Sequence, residues 1–124
     1  MSELSRRERE IMDILYGRGK SSASEVREVM PNPPGYSAVR AMLRVLEEKG
    51  HVKHEVDGVK YVFAPTVPRD KAKQSAVKHL LDTFFNDSPE QVVAALLDIS
   101  STRMTREELD RMAKMIEKAK KEGR

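Results

Sequence analysis

Arg40 and Arg44 stand four residues apart in the stretch Tyr36-Ser37-Ala38-Val39-Arg40-Ala41-Met42-Leu43-Arg44-Val45-Leu46. Its apolar members Val39, Met42, Leu43 and Leu46 occupy i, i+3, i+4 and i+7, the spacing of one buried helix face. Ser37, Ala38, Arg40, Ala41 and Arg44 are left on the opposite face. Small residues there let a helix backbone approach a partner closely, and an arginine one turn in can hold a guanine edge bidentately or grip a phosphate. The chemistry expected of this face is therefore recognition of duplex DNA. Tyr36, just ahead of it, either packs under the helix or, the preferred reading, offers its hydroxyl to a phosphate. Lys53, Lys60, Arg6 and Arg7 are further cations suited to phosphates, where they would set register without reading sequence.

Other chemistries find little support. The chain contains no Gly-rich phosphate loop, no Ser/His/Asp grouping around a G-x-S-x-G turn and no H-E-x-x-H. It has no cysteine, which removes disulfides, thiolate metal sites and a catalytic thiol, and fits a reducing cytoplasm. His51 and His54 flank a strand at odd spacing, so they alternate to opposite faces and cannot chelate together. His54 reads instead as a half-buried partner of Tyr61. His79 has only Asp82 within helical reach, and Met112 with Met115 reads as helix packing. No catalytic residue, cofactor or metal is expected.

Charge alone does not name the partner. Across 124 residues, 23 Lys+Arg stand against 20 Asp+Glu, a net charge of +3, with 39% hydrophobic content. That length suits one domain, or a small domain with an appendage, and allows roughly 65–70% of the unfolded surface to be buried. No apolar run near 18 residues and no signal-peptide core occurs, so neither membrane insertion nor secretion is expected. The chain divides near Pro65–Pro68. Four of six aromatics and five of six prolines precede residue 69, and the remainder reads as helix almost throughout.

Several elements must position the arginines. Ser5-Arg6-Arg7-Glu8 is a capping box opening a helix with Ile11, Ile14 and Leu15 inward, running to about Tyr16 and stopping at Gly17 and Gly19. Ser22-Ala23-Ser24-Glu25 is a second box, opening a short helix with Val26, Val29 and Met30 inward. That helix ends at Pro31 and the Pro33-Pro34-Gly35 turn. The arginine helix starts near Ser37 and ends at a left-handed Gly50. A hairpin follows, with Asp57-Gly58 as a two-residue type I′ turn. This register pairs Val56 with Val59, Glu55 with Lys60, His54 with Tyr61, Lys53 with Val62 and Val52 with Phe63. Three helices and a two-stranded ribbon make a winged helix-turn-helix.

From Arg69 to about Asn86, the residues Ala72, Ala76, Val77, Leu80, Leu81, Phe84 and Phe85 form an apolar stripe too broad for one helix to cover. Ser88-Pro89-Glu90-Gln91 caps the next helix, carrying Val92, Val93, Leu96 and Leu97. Thr105-Arg106-Glu107-Glu108 caps a last one, with Leu109, Met112, Ile116 and Ala119 inward. Helices this few make a marginal core, and pairing with a second copy would cover the remainder. The fold class expected is mainly α with a small β-hairpin wing: a winged-helix DNA-binding domain over 1–68 and a helical dimerisation region over 69–124.

The stretch from Tyr36 to Gly50 resembles the recognition helix of the penicillinase-repressor (BlaI/MecI) family of winged-helix transcriptional repressors. Leu4–Met12 is similar to that family's opening helix, Glu25-Val26-Arg27 to its second, and Asp87-Ser88-Pro89-Glu90 to a helix start in its dimerisation region. The match runs in order over most of the chain. The resemblance implies a homodimeric repressor on a palindromic operator. In antibiotic-responsive members it also implies a membrane sensor or protease pathway that leads to cleavage in the C-terminal region. The Asn-Phe bond cut in the staphylococcal members has no counterpart, since the corresponding stretch reads Val93-Ala94-Ala95-Leu96. The absence of cysteine excludes the branch with a C-terminal copper-responsive cysteine cluster. Two other readings stand beside it: a winged helix used as a protein-interaction module, and a regulator of another family with a small-molecule pocket. Salt dependence separates the first from a DNA reader, because only phosphate binding releases counterions.

Overall fold

A computed structural model describes residues 4–100 and 103–123. Its elements run α1 (Arg6–Arg18), β1 (Ser21–Ser22), α2 (Ala23–Val29), α3 (Tyr36–Glu48), β2 (Val52–Asp57), β3 (Lys60–Pro65), α4 (Arg69–Phe84), α5 (Pro89–Ser100) and α6 (Arg106–Lys121). The chain divides into two compact units, one ending at Gln74 and one beginning at Ser75.

The first unit is a winged helix. Local chemistry starts its first two helices as expected: the Ser5 and Ser22 hydroxyls accept from the Glu8 and Glu25 backbone N–H, and each glutamate returns the bond. The first helix continues through Gly17 to Arg18, past the expected stop. Gly19, at φ 95°, takes the capping role, so Gly17 has only its modest helix penalty to impose. Ile11, Leu15, Val26, Val39, Leu43, Leu46 and Val52 are all but inaccessible and form the core with Met12, Ala23, Met30 and Phe63. Val29, expected inward, is half exposed. The chain leaves α2 in an extended conformation at Met30, which swings into the core in place of Val29.

The ribbon is in fact a three-stranded antiparallel sheet in the order β1-β3-β2. The two-residue β1, too short to show a period, pairs Ser21 with Phe63 and Ser22 with Val62. The hairpin register also differs from expectation. Asp57 pairs with Lys60, Val56 with Tyr61, Glu55 with Val62, His54 with Phe63, Lys53 with Ala64 and Val52 with Pro65. The loop residues are thus Gly58 and Val59. Only Gly58 has positive φ, at 67°, which is the arrangement of a type II′ turn with glycine first. Asp57 is spared a left-handed conformation that an L-residue adopts only at a cost. Because the shift moves each strand by a whole pleat, each residue stays on the face that the expected pairing gives it.

A semi-buried ion pair braces the helices. Glu8 is 5% exposed, and its carboxylate lies 3.0 and 3.2 Å from Lys49 Nζ at the end of α3. The Tyr16 hydroxyl donates to the Val67 carbonyl, and the Thr66 hydroxyl to the Gly50 carbonyl, fastening the segment after β3.

In the second unit the expected caps form. Ser88 accepts from the Gln91 N–H, and Thr105 with Glu108 completes a capping box. A left-handed Asn86-Asp87 pair ends α4, with the Asp87 N–H returning to the Leu81 carbonyl. No described residue of this unit is buried. Leu81, Phe85, Val92 and Met112 are half-buried, whereas Val77, Leu80, Phe84, Val93, Leu96, Leu97, Leu109 and Ile116 are exposed. No helix among the described residues is long and apolar enough to cross a membrane.

Candidate nucleic-acid interface

The turn before α3 is built by two arginines. Arg7 donates to the Pro31 and Asn32 carbonyls at 2.8 and 2.6 Å and pairs with Glu10 at 2.9 Å, while Arg27 Nε donates to the Pro34 carbonyl at 2.7 Å. A planar guanidinium can satisfy two carbonyls at once. Arg7 is therefore engaged in holding the turn that aims α3. Arg6 next to it is 93% exposed, in loose contact with Glu10.

α3 buries Val39, Leu43 and Leu46, with Met42 partly covered, and thereby turns Tyr36, Ser37, Ala38, Arg40, Ala41 and Arg44 outward, all exposed. The Arg40 guanidinium carbon sits 5.8 Å from the centre of the Tyr36 ring, within cation–π range. Between this face and the hairpin lies an open cleft of about 640 Å³. Tyr36, Arg40, Arg44 and Lys60 all line it, so the structure brings these four together. Lys53 lies elsewhere on the wing, exposed and outside the cleft lining. Arg6 and Arg7 line a separate shallow depression with Glu10, Pro31 and Asn32.

Two carboxylates also line the cleft, Glu25 and Glu47, and both are engaged. Glu25 accepts the Ser22 N–H and pairs with Arg18 at 3.0 Å. Its carboxyl is held below the usual range, first by the Ser22 backbone N–H, then by the Ser22 hydroxyl and by the charges of Lys60 and Arg18. Glu47 accepts from His54 Nδ1 at 2.6 Å. The cleft's cations thus stand beside acids already bound to other donors.

His54 and Tyr61 do stack, with ring centres 4.3 Å apart, although they are diagonal rather than opposite neighbours. The tie from Glu47 to His54 was not visible in the sequence. Its two residues are seven apart, on a helix and a strand, and no local pattern connects them. Lys20, another wing-side cation, pairs with Glu55 at 3.2 Å. Among the described residues, no group of three His, Cys, Asp or Glu side chains is placed to hold a metal ion.

The model of the family described as Penicillinase repressor matches residues 4–118. A curated relative, an uncharacterized 16.5 kDa protein in the ptsI 3′ region of Latilactobacillus sakei, is 24% identical over 106 residues, 84% of this chain and 73% of that one. The solved complex structure of hsRosR-S4 superposes with a TM-score of 0.57 at 18% identity, covering 82% of this chain and 94% of that chain. At that identity the likeness is one of fold. A possible transcriptional regulator for arsenical resistance is similar at a TM-score of 0.45 and 27% identity, over 73% of this chain and 88% of that one. With the family model spanning nearly the whole chain over a winged-helix fold, the protein belongs to the penicillinase repressor family and is a non-enzymatic, DNA-binding transcriptional regulator.

Proposed function

We propose that the chain acts as a homodimeric repressor on a palindromic operator, reading bases through α3. The observation that carries this reading is the convergence of Tyr36, Arg40, Arg44 and Lys60 on one cleft beside a helix whose outer face is otherwise small. Arg40 and Arg44 reach base edges; Ser37, Ala38 and Ala41 leave room for close approach. The Tyr36 hydroxyl, Lys60, Lys53 and the α1 pair Arg6 and Arg7 belong to the phosphate side, with Arg7 acting from the turn it holds.

Residues 1–68 serve as the DNA-binding domain and 69–124 as the dimerisation region. The second unit supports this assignment by leaving Leu80, Phe84, Leu96, Leu97 and Ile116 exposed, an apolar surface that a second copy would cover. Induction is then any event that separates or cuts these helices, whether an upstream membrane sensor or a protease delivers it. Selection of bound duplexes from a random library tests the reading. An inverted repeat is the expected product. Recovery of no preferred sequence, with binding insensitive to salt, would instead mark a protein-interaction module.

A further inference from the structure

Glu47 is an unexpected residue on the stripe of α3 that carries Arg40 and Arg44. It follows Arg44 by three positions and lines the same cleft, where a free carboxylate would repel phosphate. Its oxygens lie 2.8 and 2.6 Å from His54 Nδ1, and one also accepts the His54 backbone N–H at 3.2 Å. A carboxylate can only accept, so Nδ1 carries the proton. The imidazole is also stacked on Tyr61 at 4.3 Å, with planes 16° apart, and touches Phe63 at 5.8 Å. One side chain of α3 therefore grips both main chain and side chain of β2, and the same ring ties β2 to β3. The pair is about one-third exposed.

We propose that Glu47 and His54 form a latch that sets the wing against α3, making both positioning residues for the Lys60 phosphate contact. The inference rests on the DNA-binding reading. Glu47 from α3 and Tyr61 from β3 hold the imidazole, while Lys53 and Glu55, its neighbours on β2, alternate to the other face.

The test compares the full chain with His54→Ala and His54→Asn on a library-selected duplex, titrated at several salt concentrations. Asparagine places an amide N–H near the position of Nδ1, so it keeps the Glu47 bond. His54→Ala should bind about five- to tenfold more weakly near neutral pH and show a salt slope shallower by roughly one unit as Lys60 drifts from its phosphate. His54→Asn should restore the neutral-pH affinity. Wild-type affinity in His54→Ala, or a His54→Asn variant as weak as His54→Ala, overturns the latch. A wild type that binds no duplex removes the DNA reading instead. NMR order parameters over residues 52–65 then decide the latch by themselves. They should fall in His54→Ala and hold in His54→Asn, and unchanged values in both variants overturn it.

Discussion

Arg40 illustrates how, under the proposed function, a single residue would divide its role between structure and readout. Its guanidinium rests over Tyr36, which restricts its rotamers before any base arrives, while its donors stay free on the exposed face. Arg40→Ala should cost about 1–3 kcal/mol on the preferred duplex and relax selection at one base position per half-site. Competition titrations against single-base variants measure this; an equal weakening on all sequences would make Arg40 a phosphate contact. Glu8 has the opposite character, an ionised group placed for stability. The Ser5 backbone N–H, then Lys49 and the Ser5 hydroxyl, hold its carboxyl below the ordinary range. A depressed folded value means this stabilisation is present above the unfolded carboxyl pKa, about 4.3, and is lost as pH falls through the lower folded value. Glu8→Gln should lower stability at neutral pH by about 1–3 kcal/mol and flatten the acid limb of the stability profile. Urea unfolding across that pH window reads both effects, and an acid limb as steep as the wild type's would place the sensitive carboxylate elsewhere.

At the scale of elements, what was legible depended on distance along the chain. The capping boxes of α1, α2 and α6 were readable because hydroxyl and glutamate lie three residues apart and answer to one local geometry. The arginine face of α3 was readable because Val39, Leu43 and Leu46 define its opposite. The hairpin register was not. Two placements of a two-residue loop preserve the same alternation, and the choice rests on left-handed backbone falling to Gly58 and on β1 pairing with β3. Arg7 shows the same limit within the site, since its carbonyl partners lie more than twenty residues away. The wing can be tested as a unit. Lys53 and Lys60 share a face of the sheet, and Lys53→Ala with Lys60→Ala should weaken every duplex alike and reduce the salt slope by roughly 0.9 for each phosphate no longer neutralised. An unchanged slope would mean the wing stays clear of the backbone.

For the whole molecule, the contrast between units is one of burial. The winged helix closes a core around Ile11, Leu15, Val26, Leu43 and Leu46, whereas the described residues after Gln74 include none that is buried. Apolar surface such as Phe84, 71% exposed, is costly to leave in water, and a second copy is the simplest cover compatible with a palindromic site. A chain ending at Gln74 should therefore remain folded, since every core residue and the Tyr16–Val67 hydrogen bond precede the cut. It should sediment as a monomer, and the full chain as a dimer. Its operator affinity should nevertheless collapse, although no DNA-contacting side chain has been removed. Two linked modules reach half-sites about 34–36 Å apart, or a multiple of that, and make the second contact intramolecular. Without the linkage, an avidity factor on the order of 10²–10⁴ is forfeited. Binding to a single half-site should be unchanged by the truncation, which separates loss of avidity from loss of fold. A monomer that holds the full operator as tightly as the intact chain would show that residues 75–124 do not act through dimerisation, and induction would then have to work on the winged helix itself.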